Sequence, residues 1–306
     1  MPSLVMCISD FEVIAVVTNA DSCCGRRMKE ICMTPVKQRA LENQIRCLQP
    51  GSVKEDSFYE ELKALDFDLS VVVSYGQIIP ERILKLPKYG SINLHASLLP
   101  LYRGASPIQG ALLNGEKQTG NTVQFMSKKM DQGGIILQNK HRIDAADHYP
   151  QLSEKLAAEG AELLKEAIIT IQEGKANRIP QDEPKATYTK LIHRDDGKIT
   201  FRLQSANEII QRWKAYDPWP GIFSEYRNSD EPESNVSGSI LVALKDITIE
   251  KLKGTPGRIL RSDKHGIVIA CREDSIRLNR VKPSGKKEMD ATAFFNGYKS
   301  QAGRYF

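Results

Sequence analysis

The chain has 306 residues and a formal net charge of +5, and 41% of its residues are hydrophobic. This length suggests two domains rather than one, and the hydrophobic content excludes a largely disordered protein. The sequence contains no apolar run long enough to span a bilayer, and its start lacks the basic and apolar segments of a secretory signal. Neither a membrane span nor a signal peptide is therefore indicated.

The first half of the chain alternates between strand-like and helix-like segments. Strands are predicted at residues 13–18, 45–48, 69–75, 91–95, 122–126 and 135–138. Helices are predicted at residues 35–43, 57–65, 80–86, 107–114 and 148–174. This order is typical of an α/β fold with a parallel sheet, in which ligands bind beyond the carboxyl ends of the strands.

The pattern changes after a polar, proline-containing stretch at residues 176–197, which we interpret as a linker. We place the domains at residues 1–178 and 199–306, with the linker at residues 179–198. A helix is predicted at residues 206–215, and short strands are predicted near residues 239–244, 248–251, 257–260, 266–270 and 275–280. Many short strands separated by Gly and Pro turns are typical of a small β-barrel.

The net charge is unevenly distributed along the chain. Residues 251–306 contain 13 lysines and arginines but 5 aspartates and glutamates, a net charge of +8, whereas residues 1–250 carry −3. A basic C-terminal domain on a mildly acidic body predicts a polyanionic partner such as a nucleic acid. A solvated basic face gives the same count, so charge alone leaves both interpretations open.

The predicted strand 91–95 ends in two side chains that suit carbonyl chemistry, Asn93 and His95. Residues two apart on a strand point to the same face, so the amide and the imidazole stand together where the strand meets a loop. The amide can donate to an oxygen, and the imidazole can move a proton. A lone histidine at a strand end is more often structural, but the neighbouring asparagine and the loop that follows favour catalysis.

Five segments carry a resemblance to a known family: YGQIIP at 75–80, INLHASLLP at 92–100, YRG at 102–104, MDQG at 130–133 and DPWPG at 217–221. On the basis of these segments, the chain resembles the methionyl-tRNA formyltransferase family, and the resemblance extends from about residue 2 to residue 298. The Asn-x-His…Asp signature is shared by all formyl-tetrahydrofolate transferases, so it indicates the chemistry. The strings LHASLLP at 94–100 and DPWPG at 217–221 are much more specific.

The resemblance implies a cytoplasmic enzyme that transfers a formyl group from 10-formyltetrahydrofolate to the amino group of initiator methionyl-tRNA. It implies a Rossmann-like, mostly parallel N-terminal formyltransferase domain, a linker, and a C-terminal OB-like β-barrel domain that binds tRNA. The fold class is therefore α/β with an added β-barrel. We further expect a monomer with no metal site and no membrane contact.

The resemblance also implies the roles of single residues. It assigns catalysis to Asn93, His95 and Asp131. In these roles His95 accepts a proton from the amine, Asn93 donates to the formyl oxygen, and Asp131 orients His95 and favours its protonated form. Without the resemblance, Asp131 would be interpreted as a turn residue. The resemblance also implies a loop that contacts folate, formed by Ser97, Leu98, Leu99 and Pro100.

Two groups of basic residues are candidates for binding tRNA. The first lies in the loop after the strand 13–18, where the resemblance implies that Arg26 enters the acceptor arm, with Arg27 and Lys29 beside it. The second lies in the barrel and is expected to contact phosphates. Its members are Arg280, Lys282, Lys286 and Lys287.

The start of the chain departs from the family pattern. Members open with a strand and a Gly-Thr-Pro-like turn, whereas Pro2-Ser3-Leu4 resembles the middle of the helix that follows them. Loss of that central strand would leave two neighbouring strands without backbone partners. We therefore expect a first domain that is truncated at its N-terminus. We favour a true start upstream of Met1 over a genuinely shortened, inactive product.

Three functions remain open from the sequence. Formylation of methionyl-tRNA is the leading one. A second keeps the formyl donor and changes the acceptor to an amino sugar or a purine precursor, although the purine enzymes resemble only the N-terminal domain and the loop at Arg26 favours tRNA. A third is a catalytically inactive remnant that binds RNA.

Overall fold

The structure is a computed structural model, and it describes residues 1–24, 30–226, 239–298 and 304–306. The chain divides into two compact units. The first contains Met1–Ile108, Lys117–Asp144 and Leu152–Leu191. The second contains Gln109–Glu116, Ala145–Gln151 and Ile192–Phe306. Two short segments from the first half of the chain therefore belong to the second unit.

Strands and helices alternate up to residue 189. The helices are α1 (Pro2–Asp10), α2 (Pro35–Glu42), α3 (Asp56–Lys63), α4 (Glu81–Leu84), α5 (Pro107–Leu113) and α6 (Tyr149–Gln172). The strands are β1 (Ala15–Val17), β2 (Ser22–Cys24), β3 (Glu30–Cys32), β4 (Arg46–Leu48), β5 (Ser70–Val72), β6 (Ser91–His95), β7 (Arg103–Gly104), β8 (Gln118–Phe125), β9 (Ile135–Arg142) and β10 (Tyr188–Thr189). Every strand and helix predicted in this part of the sequence is present, and of these the strand at 91–95 alone keeps both predicted ends.

The strand pairs of this part change direction at β6. The pairs β1–β4 and β5–β6 are parallel, and the pairs β6–β8 and β8–β9 are antiparallel. The strand order of the larger sheet is β5-β6-β8-β9. The predicted α/β, Rossmann-like class is confirmed, and its parallel part ends where β8 joins the sheet.

Strand β6 is fixed from one side by α6. Ile92 and Leu94 belong to a buried cluster that includes residues of this helix. The helix approaches the strand closely at Gly160, where a Cβ atom would lie 2.9 Å from Leu94 Cδ2. Because side chains alternate along a strand, this packing turns Asn93 and His95 to the opposite face of the sheet.

The second unit is mainly an antiparallel sheet. Its helices are α7 (Ala206–Ala215) and α8 (Ala291–Gly297), and its strands are β11 (Ile222–Tyr226), β12 (Ile240–Glu250), β13 (Ile259–Asp263), β14 (Gly266–Ala270), β15 (Ser275–Pro283) and β16 (Met289–Asp290). The strand order is β11-β12-β15-β14-β13, with β16 paired to β15. The predicted C-terminal β-domain is confirmed, and the pairings among the strands described here form an open path.

Two features of this unit differ from the sequence prediction. The strands predicted at 239–244 and 248–251 are one strand, β12, which continues through register shifts on both sides of Asp246. A β-bulge interrupts the hydrophobic alternation of a strand without ending its pairing. The polar residues at this bulge therefore have the sequence pattern of a turn between two strands. The sequence also did not predict α8, whose Phe294 side chain is completely buried.

Candidate active site

Asn93 lies near the carboxyl end of β6, beside β5. Its Nδ2 atom donates to the carbonyl oxygen of Val72 at 3.1 Å. A carbonyl oxygen only accepts, so this contact identifies the nitrogen end of the amide. The Oδ1 atom is buried and has no hydrogen-bond partner in the described part of the chain. Because an unpaired buried acceptor is costly, this oxygen indicates a place where a bound molecule donates a hydrogen bond.

His95 ends β6 and is 6% exposed. Its Nε2 atom lies 2.9 Å from the carbonyl oxygen of Tyr102. Because that oxygen only accepts, we assign the hydrogen of the neutral ring to Nε2 and the lone pair to Nδ1. Tyr102 has a φ of +59°, in the left-handed region. The carbonyl oxygen of Tyr102 thus leaves Nδ1 as the ring nitrogen with a free lone pair.

Asp131 faces His95 from the loop between β8 and β9. Its Oδ2 atom lies 3.7 Å from Nδ1 of His95, which is longer than a hydrogen bond. Oδ2 instead accepts from the backbone nitrogen of Gly104 at 2.8 Å, and Oδ1 accepts from Nε2 of Gln124 at 3.2 Å. The carboxylate is therefore fixed independently of the imidazole, and it can stabilise a positive charge that forms on the ring.

The turn that carries Asp131 depends on close backbone packing. Asp131 has a φ of +54°, in the left-handed region that residues other than glycine seldom adopt. A Cβ atom at Gly133 would lie 1.6 Å from the carbonyl oxygen of Phe125, so only glycine fits there. The turn is consequently pressed against the end of β8.

The register of β6 and β8 brings the predicted catalytic residues together. Asn93 is opposite Gln124, and His95 is opposite Thr122. Residues directly opposite each other in an antiparallel pair share a face of the sheet. Because Gln124 also binds Asp131, the amide, the imidazole and the carboxylate converge on this face.

The loop at residues 97–100 is anchored by Thr122. The Thr122 hydroxyl donates to the carbonyl oxygen of Ser97 at 2.6 Å. Oγ1 of Thr122 in turn accepts from the backbone nitrogen of Leu99 at 3.1 Å and from Nε2 of Gln138 at 2.8 Å. One hydroxyl on β8 therefore sets the path of the chain immediately after His95.

The side chains of this loop differ in exposure. Those of Ser97 and Leu99 are buried, whereas those of Leu98 and Pro100 are partly exposed. A ligand beside the loop would therefore contact it chiefly through Leu98, Pro100 and the backbone.

Sequence reasoning missed three groups that shape this site: the Tyr102 carbonyl, the Gly104 amide and the Gln124 side chain. Backbone groups leave no pattern in the side-chain sequence. Gln124 is 2% exposed and lies in a predicted strand. A glutamine inside a buried strand was the one available signal, because buried polar side chains need a specific partner.

The predicted tRNA-binding residues of the second unit lie on and after β15. Lys282, Lys286 and Lys287 are exposed. Arg280 is also exposed, but its guanidinium donates to Glu288 at 2.6 Å and to Asp290 at 3.0 Å. A phosphate would therefore compete with two carboxylates for Arg280. The other three predicted residues, Arg26, Arg27 and Lys29, lie outside the described residues.

Within the ranges that the structure describes, no helix is both long enough and apolar enough to cross a membrane. No group of three or more His, Cys, Asp or Glu side chains there is arranged to bind a metal ion.

Comparison with known proteins identifies the family. The family model described as "Formyl transferase" matches residues 8–168, and "Formyl transferase, C-terminal domain" matches residues 191–299. A methionyl-tRNA formyltransferase of Staphylococcus epidermidis is 39% identical over 295 residues, covering 96% of this chain and 91% of the relative. The chain belongs to the methionyl-tRNA formyltransferase family. The resemblance seen in the motifs is thereby confirmed.

Other methionyl-tRNA formyltransferases match to a similar extent. One from a Sulfurihydrogenibium species is 37% identical over 302 residues, covering 97% of this chain and 93% of the relative. The residues at the end of β6 and in the loops beside it fall in the part matched by the first family model. The basic residues on and after β15 fall in the part matched by the second.

Solved structures support the same fold. The sugar 3N-formyl transferase WlaRD, crystallised with dTDP and 5-N-formyl-THF, superposes with a TM-score of 0.64 at 19% identity, covering 94% of both chains. HypX from Aquifex aeolicus, in complex with tetrahydrofolic acid, superposes with a TM-score of 0.58 at 16% identity, covering 86% of this chain and 44% of HypX. At these identities the likeness concerns the fold alone.

The anchoring of the 97–100 loop predicts a stability change. Thr122→Val keeps the side-chain shape and removes the described partner of the Ser97 carbonyl oxygen and of the Leu99 backbone nitrogen. Gln138 Nε2 loses one of its two described acceptors and keeps the carbonyl oxygen of Leu99. We expect the free energy of unfolding, measured by urea titration, to fall by about 1–3 kcal/mol. The matched control is Thr119→Val, because Thr119 also lies on β8, is 3% exposed, and has an Oγ1 atom without a described partner. Equal losses in the two variants would contradict the anchoring role of Thr122.

Proposed function

We propose that this chain transfers the formyl group of 10-formyltetrahydrofolate to the amino group of initiator methionyl-tRNA, in the cytoplasm and as a monomer. The observation that carries the proposal is the arrangement at His95, whose Nε2 atom is bound to a carbonyl while Nδ1 faces Asp131. The donor supplies an activated formyl carbon, and the aminoacyl-tRNA supplies the amine. Catalytic roles for Asn93, His95 and Asp131 are part of the proposal.

His95 removes a proton from the amine as the new carbon–nitrogen bond forms. An α-amino group has an ordinary pKa of about 7.7–8.0, so an imidazole can accept its proton near neutral pH. The proton arrives at Nδ1, while the hydrogen on Nε2 stays on the carbonyl of Tyr102. Asp131, 3.7 Å from Nδ1, stabilises the positive ring by charge attraction.

Asn93 acts on the formyl oxygen. One Nδ2 hydrogen is used by Val72, which leaves the second to donate to that oxygen as negative charge develops on it. The buried Oδ1 atom, which has no described partner, is suited to accept a hydrogen bond from the attacking amine. The anchored amide thus contacts both reacting groups without having to reorient.

His95 completes the transfer by returning the proton. As the bond between the formyl carbon and the folate nitrogen breaks, Nδ1 gives its proton to that nitrogen. The new amide bond keeps the formyl carbon, and His95 is again neutral with its hydrogen on Nε2. The residues at the end of β6 therefore move one proton from the amine to the folate and regain their starting state.

The loop at residues 97–100 is the proposed folate contact. It follows directly after His95, and its partly exposed side chains, Leu98 and Pro100, are apolar. Apolar contacts of this kind are typical of pockets that bind flat, drug-sized molecules. Because Thr122 fixes the loop backbone, its position relative to His95 is set before any ligand binds.

A formyl-transfer assay with three acceptors tests the proposed function. We expect transfer to methionyl-tRNA and none to a nucleotide-linked amino sugar or a purine-precursor amine. Transfer to an amino sugar alone would replace the proposed acceptor, and no transfer to any acceptor would contradict the function.

The same assay tests the catalytic roles. Asn93→Ala, His95→Ala and Asp131→Ala should each lower kcat/KM by about 10²-fold or more while circular dichroism shows an intact fold. His141→Gln is the control, because His141 lies on β9 and its Nδ1 atom binds Glu159 at 2.9 Å. A site variant with near-parental turnover would contradict the role assigned to that residue.

The basic residues on and after β15 predict salt-dependent tRNA binding. Lys282→Ala, Lys286→Ala and Lys287→Ala should each weaken binding and reduce the slope of log K against log salt by roughly 0.7–0.9. Arg280→Ala should have a smaller effect, because two carboxylates already bind that guanidinium. Filter binding at several salt concentrations measures both quantities, with Lys63→Ala on α3 as the control. Slopes equal to that of the parent chain would refute phosphate contacts here.

A further inference from the structure

The segment from Gln181 to Thr189 lies within the predicted linker. It is hydrogen-bonded to residues 102–104, beside the candidate active site. Strand β10 pairs in parallel with β7. The Thr187 carbonyl accepts from the backbone nitrogen of Arg103 at 2.9 Å, and the Thr187 hydroxyl accepts from that of Tyr102 at 2.8 Å. The residue whose carbonyl binds His95 is therefore fixed in part by this segment.

Arg103 connects the two strands through its side chain, which is completely buried. The guanidinium donates to Oε1 of Gln181 from Nε at 3.0 Å and from Nη2 at 2.7 Å. It also donates to both carboxylate oxygens of Glu183, at 3.0 and 2.7 Å, and lowers the pKa of that carboxyl group. A buried charge needs such complete pairing. The guanidinium thereby sets the orientation of the Gln181 amide.

Gln181 uses the other end of its amide to bind the turn that carries Asp131. Its Nε2 atom donates to the carbonyl oxygens of Asp131 at 2.8 Å and of Gly133 at 2.9 Å. Its Nε2 atom also lies 3.2 Å from Oε1 of Gln124, so its two hydrogens are shared among three oxygens. Because the Asp131 carboxylate only accepts, the nitrogen of Gln124 points towards Oδ1 of Asp131, where it donates at 3.2 Å, and the oxygen of Gln124 points towards Gln181.

We propose that Gln181 is a positioning residue for the Asp131 carboxylate. It acts on Asp131 through the backbone of the turn, in which Asp131 itself lies in the left-handed region, by binding the carbonyl oxygens of Asp131 and Gly133. Without these bonds, relaxation of the turn would move the carboxylate away from Nδ1 of His95. This inference rests on the proposed role of Asp131 in formyl transfer, and it extends the catalytic unit into a segment about 50 residues further along the sequence.

The first test compares Gln181→Leu with Glu183→Gln. Both residues bind Arg103, but of the two only Gln181 has described hydrogen bonds to the turn at Asp131. Gln181→Leu should lower kcat by about 10- to 100-fold, because small misplacements of a catalytic group have effects of this size. KM for both substrates should change by less than about threefold, and Glu183→Gln should keep kcat within about threefold of the parent. Equal losses of kcat in the two variants would overturn the proposal.

A double-mutant cycle separates positioning from general damage. If Gln181 acts through the Asp131 carboxylate, Gln181→Leu should cost less than about twofold in kcat when Asp131→Asn is already present. Single-turnover formylation is sensitive enough for these slow variants. A full, additive loss in the double variant would show that Gln181 acts elsewhere.

A readout that does not require activity distinguishes this inference from the proposed function. The amide of Gly104 donates to Oδ2 of Asp131, so its hydrogen exchange, measured by NMR, reports the position of the carboxylate. Exchange at Gly104 should accelerate at least about tenfold in Gln181→Leu and stay unchanged in Glu183→Gln. Unchanged exchange in Gln181→Leu would overturn the positioning role, whether or not the parent chain formylates tRNA.

Discussion

The hydrogen bond between Nε2 of His95 and the carbonyl oxygen of Tyr102, 2.9 Å long, is the contact on which the proposed chemistry depends. A backbone carbonyl cannot donate, so it determines which ring nitrogen carries the hydrogen. The free lone pair is then on Nδ1, the atom that faces Asp131. With the opposite tautomer, the ring would present a donor to the carboxylate and have no acceptor for the proton of an amine there.

Strand β6 lies between a parallel neighbour, β5, and an antiparallel neighbour, β8. Each neighbour supplies different hydrogen-bond partners for the residues of the site. Parallel β5 provides the carbonyl of Val72, which binds the Asn93 amide. Antiparallel β8 provides Thr122, which fixes the loop after His95, and Gln124, which binds Asp131. Helix α6 covers the other face of β6 through Ile92 and Leu94. The face that carries Asn93 and His95 is thus held by bonds that no ligand has to form, which is the preorganisation that the proposed chemistry requires.

The sequence predicted the parts of this arrangement that follow local rules. Alternation along β6 places Asn93 and His95 on one face. Asp131 was predicted only through the family resemblance, because local rules alone indicate a turn residue there. The burial of Arg103 was not predictable, because a charged side chain is normally exposed and its partners lie about 80 residues away in the chain. Gln181 was likewise hidden in a polar stretch that has the composition of a linker. Such contacts arise from tertiary packing, which hydrophobic periodicity does not encode.

The state of the His95 ring can be measured directly by ¹⁵N NMR of the full chain labelled at its five histidines. His95→Gln assigns the signals, and the ring is observed in its neutral form, in which one of the two nitrogens carries a hydrogen. We predict that Nε2 of His95 carries the hydrogen and that Nδ1 gives the chemical shift of an unprotonated ring nitrogen. A hydrogen found on Nδ1 of the neutral ring would contradict this prediction.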